Sequence, residues 1–387
     1  MAPSSSSINF VPLHKLKVWV LAPYLKTNDT NIDYFYDFSQ SIEEYRKVFE
    51  DDLHVNWKWQ PVTMNDYEEV IAQIVAEKDA KKYVPLVLNL CDGDEVNNTP
   101  GISVLRLLEE SGLIYSGADE YYYNITTSKI SMKKVFDKDG VATPLWKAIR
   151  SRKRDTDSFF DELGSPIIVK PAVSAGGSIG VGIKNVVNDK KELKEQVQLM
   201  FDGYRDWELT VDGIVTEQFI NGPEYTSLVV GPYDNPDLAS VYTPVERVFH
   251  ASLPEKEKFL SFDRLWEIYE DEAPMPNDEN FYTYQLPDAS LIDAIKKISW
   301  DAYCAVKGRG YGRIDIRQDK ETGKLYVLEV NAQCGLSDDE AFTSIGAILR
   351  LSGKSFTQLV TEILNDAFDR KNSVSGTKRK SKKKIAV

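Results

Sequence analysis

Residues 312–335 read GRIDIRQDKETGKLYVLEVNAQCG, and the alternation of apolar and polar residues in this stretch decides the fold. Side chains two apart on a strand point the same way, so one set of positions faces a core and the other faces away from it. The positions expected in the core are Ile314, Ile316, Leu328 and Val330. A turn at residues 319–323 folds the second run back on the first, which predicts an antiparallel hairpin.

The opposite face of the predicted hairpin is polar. Its residues are Arg313, Asp315, Glu329 and Asn331. Two carboxylates and an amide oxygen form an all-oxygen set that suits Mg²⁺ and leaves room for phosphate oxygens. The arginine adds a planar fork for an oxyanion. The alternative is a solvated face of an amphipathic hairpin, but Leu325 and Val327 lie on the same predicted face and do not fit a purely wet surface.

Size and charge exclude several classes of protein. A chain of 387 residues is expected to form two or three packed units. Its net charge of -13 argues against nucleic acid as the main partner, because binding the phosphate backbone requires a basic surface. No apolar run reaches membrane-spanning length and the first residues lack signal-peptide features, so we expect a cytoplasmic protein without a membrane partner.

Cysteine and histidine usage narrows the chemistry. Cys91, Cys304 and Cys334 are widely spaced and have no paired metal-binding spacing, which is typical of reduced thiols. The chain contains 3 histidines, which argues against a histidine-centred triad or a zinc site.

The pattern along the chain predicts three units and a tail. Residues 1–118 alternate strand and helix patterns, as in a parallel α/β unit. Residues 119–212 are expected to form an α+β unit with a glycine-rich loop, and residues 213–370 a β-rich unit with the metal hairpin. Within the latter, residues 251–286 show no clean periodicity, which is typical of a functional lid or a disordered loop.

The end of the chain is basic. Residues 371–387 are expected to be a disordered tail, with Lys and Arg concentrated between Lys378 and Lys384. A nuclear address or an anionic-surface patch are functional interpretations of this run. A solubilising terminus explains it equally well.

A glycine-rich loop follows a buried strand in the second unit. Residues 165–186 read SPIIVKPAVSAGGSIGVGIKNV, with a strand expected at residues 167–170 and another at 181–186. The loop residues are Ser174, Gly176, Gly177 and Ser178. Glycines let backbone N–H groups close over phosphates, and Lys170 supplies a point charge. A hairpin turn explains the loop equally well, but its place downstream of Lys129, in a helix predicted over residues 124–138, favours phosphate.

A second nucleotide-binding candidate is TEQFINGPEY, residues 216–225. Glu217, Phe219 and Ile220 end one strand, and a base fits here with its exocyclic donors on backbone groups and Glu217. Glu224 is placed for ribose hydroxyls. An ordinary hairpin is the alternative, since Asn-Gly at residues 221–222 is the strongest short-range hairpin signal. The two interpretations are compatible.

The order of these motifs resembles the ATP-grasp superfamily and specifically D-alanine:D-alanine ligase. The motifs are TTSKISMKK, the Lys170 strand with its loop, EQFINGPE, GRIDIRQD and LEVNAQCG, together with ISVLRLLEESGLIYSGADE followed by ITTSK and GVATP. The resemblance runs from about residue 84 to 365. It implies an α/β and α+β chain, with an ATP-grasp fold after an N-terminal parallel α/β domain.

The resemblance also implies roles for these residues. Lys129 and Lys170 would contact the phosphates of ATP, under a loop from Ser174 through Gly176 and Gly177 to Ser178, the last of which would be catalytic. Adenine would lie against Glu217, Phe219 and Ile220, with ribose on Glu224. Asp315, Glu329 and Asn331 would hold two Mg²⁺ ions, with Mn²⁺ as a substitute, and Arg313 would steady the tetrahedral intermediate.

Departures from the ligase concern the second substrate. Its histidine is missing from residues 89–101, NLCDGDEVNNTPG, and Cys334 replaces a proline before Gly335, a substrate-site candidate. The Ser-Leu pair that binds a carboxylate aligns with Glu340 and Ala341. A loop expected to carry a Tyr-Lys contact reads FLSFDRLW and offers Arg264 out of register.

We therefore expect an ADP-forming carboxylate-amine ligase that works through an acyl phosphate on small-molecule acid and amine substrates. The amine is expected not to be D-alanine, and the acidic residues Asp338, Asp339 and Glu340 favour a cationic one. The alternative for these acids is a capping box that starts a helix near Ala341. Other functional alternatives are an ATP-binding regulatory protein without ligase chemistry and an enzyme that activates a small inorganic or one-carbon acid. A homodimer is a further expectation.

Overall fold

The computed structural model describes residues 8, 11–29, 36–173, 179–267, 269 and 272–384, without the side chains of residues 278 and 373–384. The strands are β1 (Leu16–Pro23), β2 (Asn56–Val62), β3 (Val84–Asn89), β4 (Ile114–Tyr115), β5 (Trp146–Ile149), β6 (Ile167–Pro171), β7 (Val186–Val187), β8 (Ile214–Gln218), β9 (Glu224–Val230), β10 (Ser240–Val241), β11 (Val245–Phe249), β12 (Tyr282–Gln285), β13 (Tyr311–Gln318) and β14 (Leu325–Ala332).

The helices are α1 (Ser39–Arg46), α2 (Tyr67–Asp79), α3 (Ile102–Glu110), α4 (Glu120–Thr127), α5 (Lys129–Asp139), α6 (Phe159–Leu163), α7 (Lys190–Asp202), α8 (Phe262–Leu265), α9 (Ile292–Ala305), α10 (Ser344–Ser352) and α11 (Phe356–Lys384). Shorter helical segments are Leu13–Lys15, Lys47–Asp52, Ile183–Asn185, Pro236–Leu238, Glu255–Glu257 and Pro276–Asp278. In the described residues no helix is long and apolar enough to cross a bilayer.

The N-terminal sheet has the order β2-β1-β3-β4, and its strands are parallel. Strand β1 is almost entirely buried, because helices cover both faces of a parallel sheet. The parallel α/β unit predicted from the alternating pattern is therefore confirmed.

The central sheet is antiparallel and has the order β5-β8-β6-β7. Strand β8, which begins just after the predicted boundary between residues 212 and 213, lies between β5 and β6 and pairs Glu217 with Ile168. The strand predicted over residues 181–186 is replaced by a helical turn and the two-residue strand β7. Asn185 causes this turn: its amide donates to the carbonyls of Val169 and Gly180, at 2.7 and 3.1 Å, and accepts from the N–H of Gly182.

The helix predicted over residues 124–138 is divided into α4 and α5 at Ser128. This residue has extended backbone angles, and its hydroxyl accepts from the N–H of Ser131 as the N-cap of α5. The N–H of Lys129 is thereby free to donate to the carbonyl of Ala172, 2.7 Å away, beside the start of the glycine-rich segment. The break thus docks the first residue of α5 against the central sheet.

The largest sheet has the order β12-β11-β9-β13-β14, with β10 paired to β9. The predicted hairpin is present as β13 and β14, but a bulge after Asp315 changes its faces. Val327 is buried in the core, whereas Leu328, which was expected there, lines a cavity on the other face. The cause is a contact outside the sheet, since the N–H of Val327 donates to the carbonyl of Ala142.

Helix α11 continues through Lys384, into the residues for which the sequence predicts a disordered tail. Arg370 and Lys371 donate to the carbonyls of Gly117 and Gly112 in the N-terminal unit, both at 2.8 Å, which fixes the helix beyond its buried turns. Lys and Arg also have high helix propensity. The basic side chains of residues 378–384 lie outside the described part.

Candidate active site

A cavity between the central sheet and the largest sheet brings most of the predicted residues together. Those that line it are Lys129, Lys170, Glu217, Phe219, Ile220, Glu224, Arg313, Asp315 and Glu329. Ser174, Gly176, Gly177 and Ser178 lie outside the described residues. Asn331, Gly335 and Glu340 are described but are not among the residues that line the cavity.

The two predicted phosphate lysines enter the cavity from different elements. Lys129, on α5, has its ammonium 3.2 Å from a carboxylate oxygen of Glu329. Lys170, on β6, pairs with Glu217 of the neighbouring strand. Burial acts to raise the pKa of Glu329, but Lys129, Lys170 and Arg313 outweigh it and hold that pKa below its usual value. Both lysines are therefore placed beside carboxylates and available to an anionic ligand.

Glu217 has almost no exposed surface, and its carboxylate is shared between two lysines. One oxygen accepts from Lys170, and the other lies 2.6 Å from the ammonium of Lys133, a residue that the sequence analysis did not select. Burial opposes ionisation, but Lys133 and Lys170 lower the pKa of Glu217 to about 2. The contacts of this side chain in the structure are thus with cations, whereas the resemblance assigned it to adenine.

Glu224 is also buried between cations. Its oxygens pair with Arg247 and with Arg317, the latter at 3.2 Å from the arginine Nε. Both arginines line the cavity and were missed by the sequence analysis. The alternation along the strand could have identified Arg317, because it lies on the same face as Arg313 and Asp315. Arg247, by contrast, reaches Glu224 from β11, the strand paired with β9.

One wall of the cavity is apolar. Ile168, Val181, Phe219 and Phe259 belong to one buried cluster and line the cavity, with the rings of Phe219 and Phe259 edge to face. Such a slot suits a flat base. Arg264, which this loop offers out of register, is buried beside Glu257 and Glu272. Phe259 and Leu260 of the same loop line the cavity instead.

The hairpin face holds the predicted metal ligands. Asp315 lies directly opposite Glu329, and the amide nitrogen of Asn331 donates to Asp315 at 2.9 Å. Arg313 donates to the same carboxylate at 2.9 Å. The described residues contain no cluster of three or more His, Cys, Asp or Glu side chains that could hold a metal. The all-oxygen pair of carboxylates fits Mg²⁺ provided that the amide oxygen of Asn331 completes the set.

The segment after the hairpin reaches the N-terminal unit rather than the cavity. Buried Gln333 donates to the carbonyls of Cys91 and Asn89, at 3.0 and 3.4 Å. Ser337 donates to Glu44 on α1 at 2.9 Å. Gly335 is exposed.

The capping box predicted for residues 337–340 is wrong. Helix α10 begins at Ser344 and is capped by Thr343, because Asp339 turns the preceding chain by accepting from the N–H groups of Ala341 and Phe342. Glu340 is 63% exposed, and its carboxylate lies 3.7 Å from the guanidinium of Arg350.

Asp92 occupies the stretch where the resembling ligase has a histidine. It is partly buried after the end of β3, and burial raises the pKa of its carboxyl group to about 6, with a smaller contribution from Asp94. The nearby thiol of Cys334 has its pKa raised to about 12, also by burial. Burial therefore favours the neutral forms of Asp92 and Cys334, in contrast to the charged lysines and arginines of the cavity.

Comparisons with known proteins agree with this geometry. Residues 135–365 match the family described as D-ala D-ala ligase C-terminus. The chain is 30% identical to the D-alanine--D-alanine ligase of Stutzerimonas stutzeri over 70% of this chain and 74% of that enzyme. It is 29% identical to the D-alanine--D-alanine ligase of Xanthomonas axonopodis pv. citri over 72% and 76% of the two chains.

Solved structures show the same fold. The D-alanine--D-alanine ligase of Bacillus anthracis complexed with ATP superposes with a TM-score of 0.64 at 20% identity, covering 92% of this chain and 99% of that one. The ligase of Coxiella burnetii gives 0.64 at 17% identity over 95% and 99%. The fold expectation is confirmed: the chain belongs to the D-alanine–D-alanine ligase family and is an ATP-grasp, ATP- and magnesium-dependent, ADP-forming carbon–nitrogen ligase.

Proposed function

We propose that this ligase joins an amino acid or another small carboxylic acid to an amine other than D-alanine, through an acyl phosphate. The observation that carries the proposal is the contrast between the two sides of the site. The cation-rich cavity keeps every described residue that the family resemblance assigns to ATP. The substrate segments instead lack the histidine of the resembling ligase in residues 89–101, where Asp92 is a partly buried acid, and carry Cys334 in place of its proline.

ATP supplies the phosphoryl group, and Mg²⁺ neutralises negative charge on it. Lys129 and Lys170 bind anionic oxygens from two sides of the cavity, so that the reacting groups are held in position. Asp315, Glu329 and Asn331 would hold the metal. Catalysis by positioning and charge neutralisation needs no histidine base.

Arg313 stabilises the oxyanion that forms when the amine attacks. Burial lowers the pKa of its guanidinium, but Asp315 outweighs this and raises it, so the group remains charged. A donor held in place by a carboxylate 2.9 Å away is preorganised for this task. A protein that only binds ATP has no use for such a residue, which argues against the regulatory alternative.

Finer features belong to the same proposal. We propose two Mg²⁺ ions, replaceable by Mn²⁺, and small-molecule substrates in a homodimeric, cytoplasmic enzyme. Titration of activity with each metal and sedimentation of the purified chain test these points.

The decisive experiment measures ADP release with amino acids and free amines, offered singly and in pairs, with mass spectrometry of the products. D-Alanine, L-alanine, lysine and arginine belong in the panel. We expect ADP release with at least one pair and poor use of D-alanine. Efficient synthesis of D-alanyl-D-alanine would overturn the substrate proposal, and tight ATP binding without ADP release from any pair would support the regulatory alternative.

A further inference from the structure

Lys133 is a buried cation that does not line the cavity in the described part of the chain. It lies one turn after Lys129 on α5, and its side chain is 1% exposed. Its ammonium donates to the hydroxyl of Thr143 at 2.8 Å and lies 2.6 Å from Glu217. Burial lowers the pKa of Lys133, and the charge of Glu217 opposes that change. Burying an ammonium group costs free energy unless the group is paired. The burial of Lys133 therefore calls for a structural reason.

The pairing continues into the cavity. The other oxygen of Glu217 accepts from Lys170, which lines the cavity and is itself partly exposed. Lys133, Glu217 and Lys170 together carry two positive charges and one negative charge. Without Lys133, the full charge of Glu217 would be directed at Lys170, and the pair would offer an anionic ligand no net charge.

The same helix also connects to the metal hairpin. The hydroxyl of Thr143, which accepts from Lys133, donates to the carbonyl of Val327 at 2.9 Å, at the bulge of β14. Lys129, four residues before Lys133, pairs with Glu329, two residues after Val327. Helix α5 therefore holds the central sheet through Lys133 and the hairpin through Lys129.

We propose that Lys133 is a positioning residue for nucleotide binding: it compensates the charge of Glu217, so that Lys170 presents a net positive charge to the phosphates while both sheets are held by one helix. The inference rests on the proposed role of Lys170 in binding the phosphates of ATP. Lys133 touches neither phosphate nor metal in this role. It acts through Glu217.

The test compares the Lys133→Met and Lys170→Met variants by calorimetry with magnesium-ATP and with adenosine, which lacks phosphates. Lys134→Met is the matched control, because Lys134 is exposed on the same helix. We expect Lys133→Met to weaken ATP binding at least fivefold and to leave adenosine binding within twofold. The control variant stays within twofold for both ligands.

A second comparison separates charge compensation from packing. In the Glu217→Gln background there is no carboxylate to compensate, so adding Lys133→Met is expected to change ATP affinity less than twofold. An equal loss in both backgrounds overturns the inference, since packing alone would then explain it. If Lys133→Met alone does not fold, the comparison in the Glu217→Gln background still tests the inference. The double variant contains neither of the two buried charges.

Failure of the inference is distinct from failure of the proposed function. If Lys170→Met weakens ATP binding and Lys133→Met does not, only the role of Lys133 is overturned. If Lys170→Met has no effect on ATP affinity, the phosphate role of Lys170 fails, and the inference fails with it.

Discussion

The cation-rich cavity and the segment after the hairpin, where we propose that ATP and the second substrate bind, are built by different kinds of contact. In the cavity, charged side chains pair across separate elements, as Lys129 does with Glu329 and Lys170 with Glu217. In the region after the hairpin, side chains mainly bind backbone groups, as Gln333 does with the carbonyls of Cys91 and Asn89.

This difference limits how each region can change. A buried charge that loses its partner is strongly destabilising, so a substitution in the cavity requires a matching one elsewhere. A side chain held by backbone carbonyls places no such demand on the identity of its neighbours. We therefore expect the segment after the hairpin to tolerate substitutions more readily than the cavity does.

The largest expected effect tests the cavity. Glu329→Gln keeps the size of the side chain but removes one of the two carboxylate charges at the proposed metal site, so turnover should fall below detection while the fold remains intact. ADP release and circular dichroism measure the two properties. Glu321→Gln, in the exposed turn of the same hairpin, is the control. Full ADP formation by the Glu329 variant at low Mg²⁺ would remove this residue from the metal site.

Lys170→Ala is expected to have the next largest effect. Charge-assisted contacts are worth about 1.5–3 kcal/mol, so ATP affinity should fall by about tenfold or more. Because we propose that Lys129 binds the phosphates from another element, we also expect closure of residues 145–205 to depend on ATP, which limited proteolysis can follow. The control is Lys191→Ala on the exposed face of α7. Unchanged ATP affinity in calorimetry would exclude Lys170 from the site.

The Asp92→Asn variant tests the region proposed to bind the second substrate. The folded pKa of about 6 lies above the ordinary value of 3.8, so the folded state binds the proton more tightly and the free energy of unfolding falls as pH rises from about 4 to about 6. The variant removes this penalty. It should be more stable than the native protein at pH 7 by about 3 kcal/mol and equally stable near pH 4.

Urea unfolding at both pH values measures this difference. A stabilised variant that also loses amine affinity would show that Asp92 is retained for binding at the expense of stability. Equal stability of the two proteins at pH 7 would contradict the raised pKa.

The sequence was a good guide where the signal was local. Strand parity placed Asp315 opposite Glu329, and the order of motifs identified the fold. The prediction failed where a contact between residues far apart in the sequence determines which side chain is buried. Val327 takes the place of Leu328 in the core because its N–H donates to the carbonyl of Ala142.

Lys133 shows the same limit of prediction from sequence. Its spacing of four from Lys129 was visible and put both lysines on one face of a helix. Its burial and its pairing were not visible, because Glu217 approaches from a strand of the central sheet. Arg247 likewise required knowledge that β11 pairs with β9. Local patterns thus predict which residues are available, and tertiary pairing decides which of them interact.

The smallest expected effect distinguishes two neighbouring acids. Glu340 is 63% exposed and 3.7 Å from Arg350, and exposed ion pairs of this kind contribute about 0–1 kcal/mol. Glu340→Gln should therefore change stability by less than about 0.5 kcal/mol and leave the preference among alanine, lysine and arginine as amines unchanged. Asp339 is the matched comparison, because its carboxylate accepts from two backbone N–H groups.

We expect Asp339→Ala to lower the free energy of unfolding by about 1 kcal/mol, the usual cost of losing a side chain that caps backbone donors. Thermal melts of both variants, followed by ADP release with each amine, complete the comparison. A shift of amine preference in the Glu340 variant would place this carboxylate at the substrate. The acids after the hairpin would then select a cationic amine, whereas the contacts in the structure assign Asp339 to holding the turn and Glu340 to the surface.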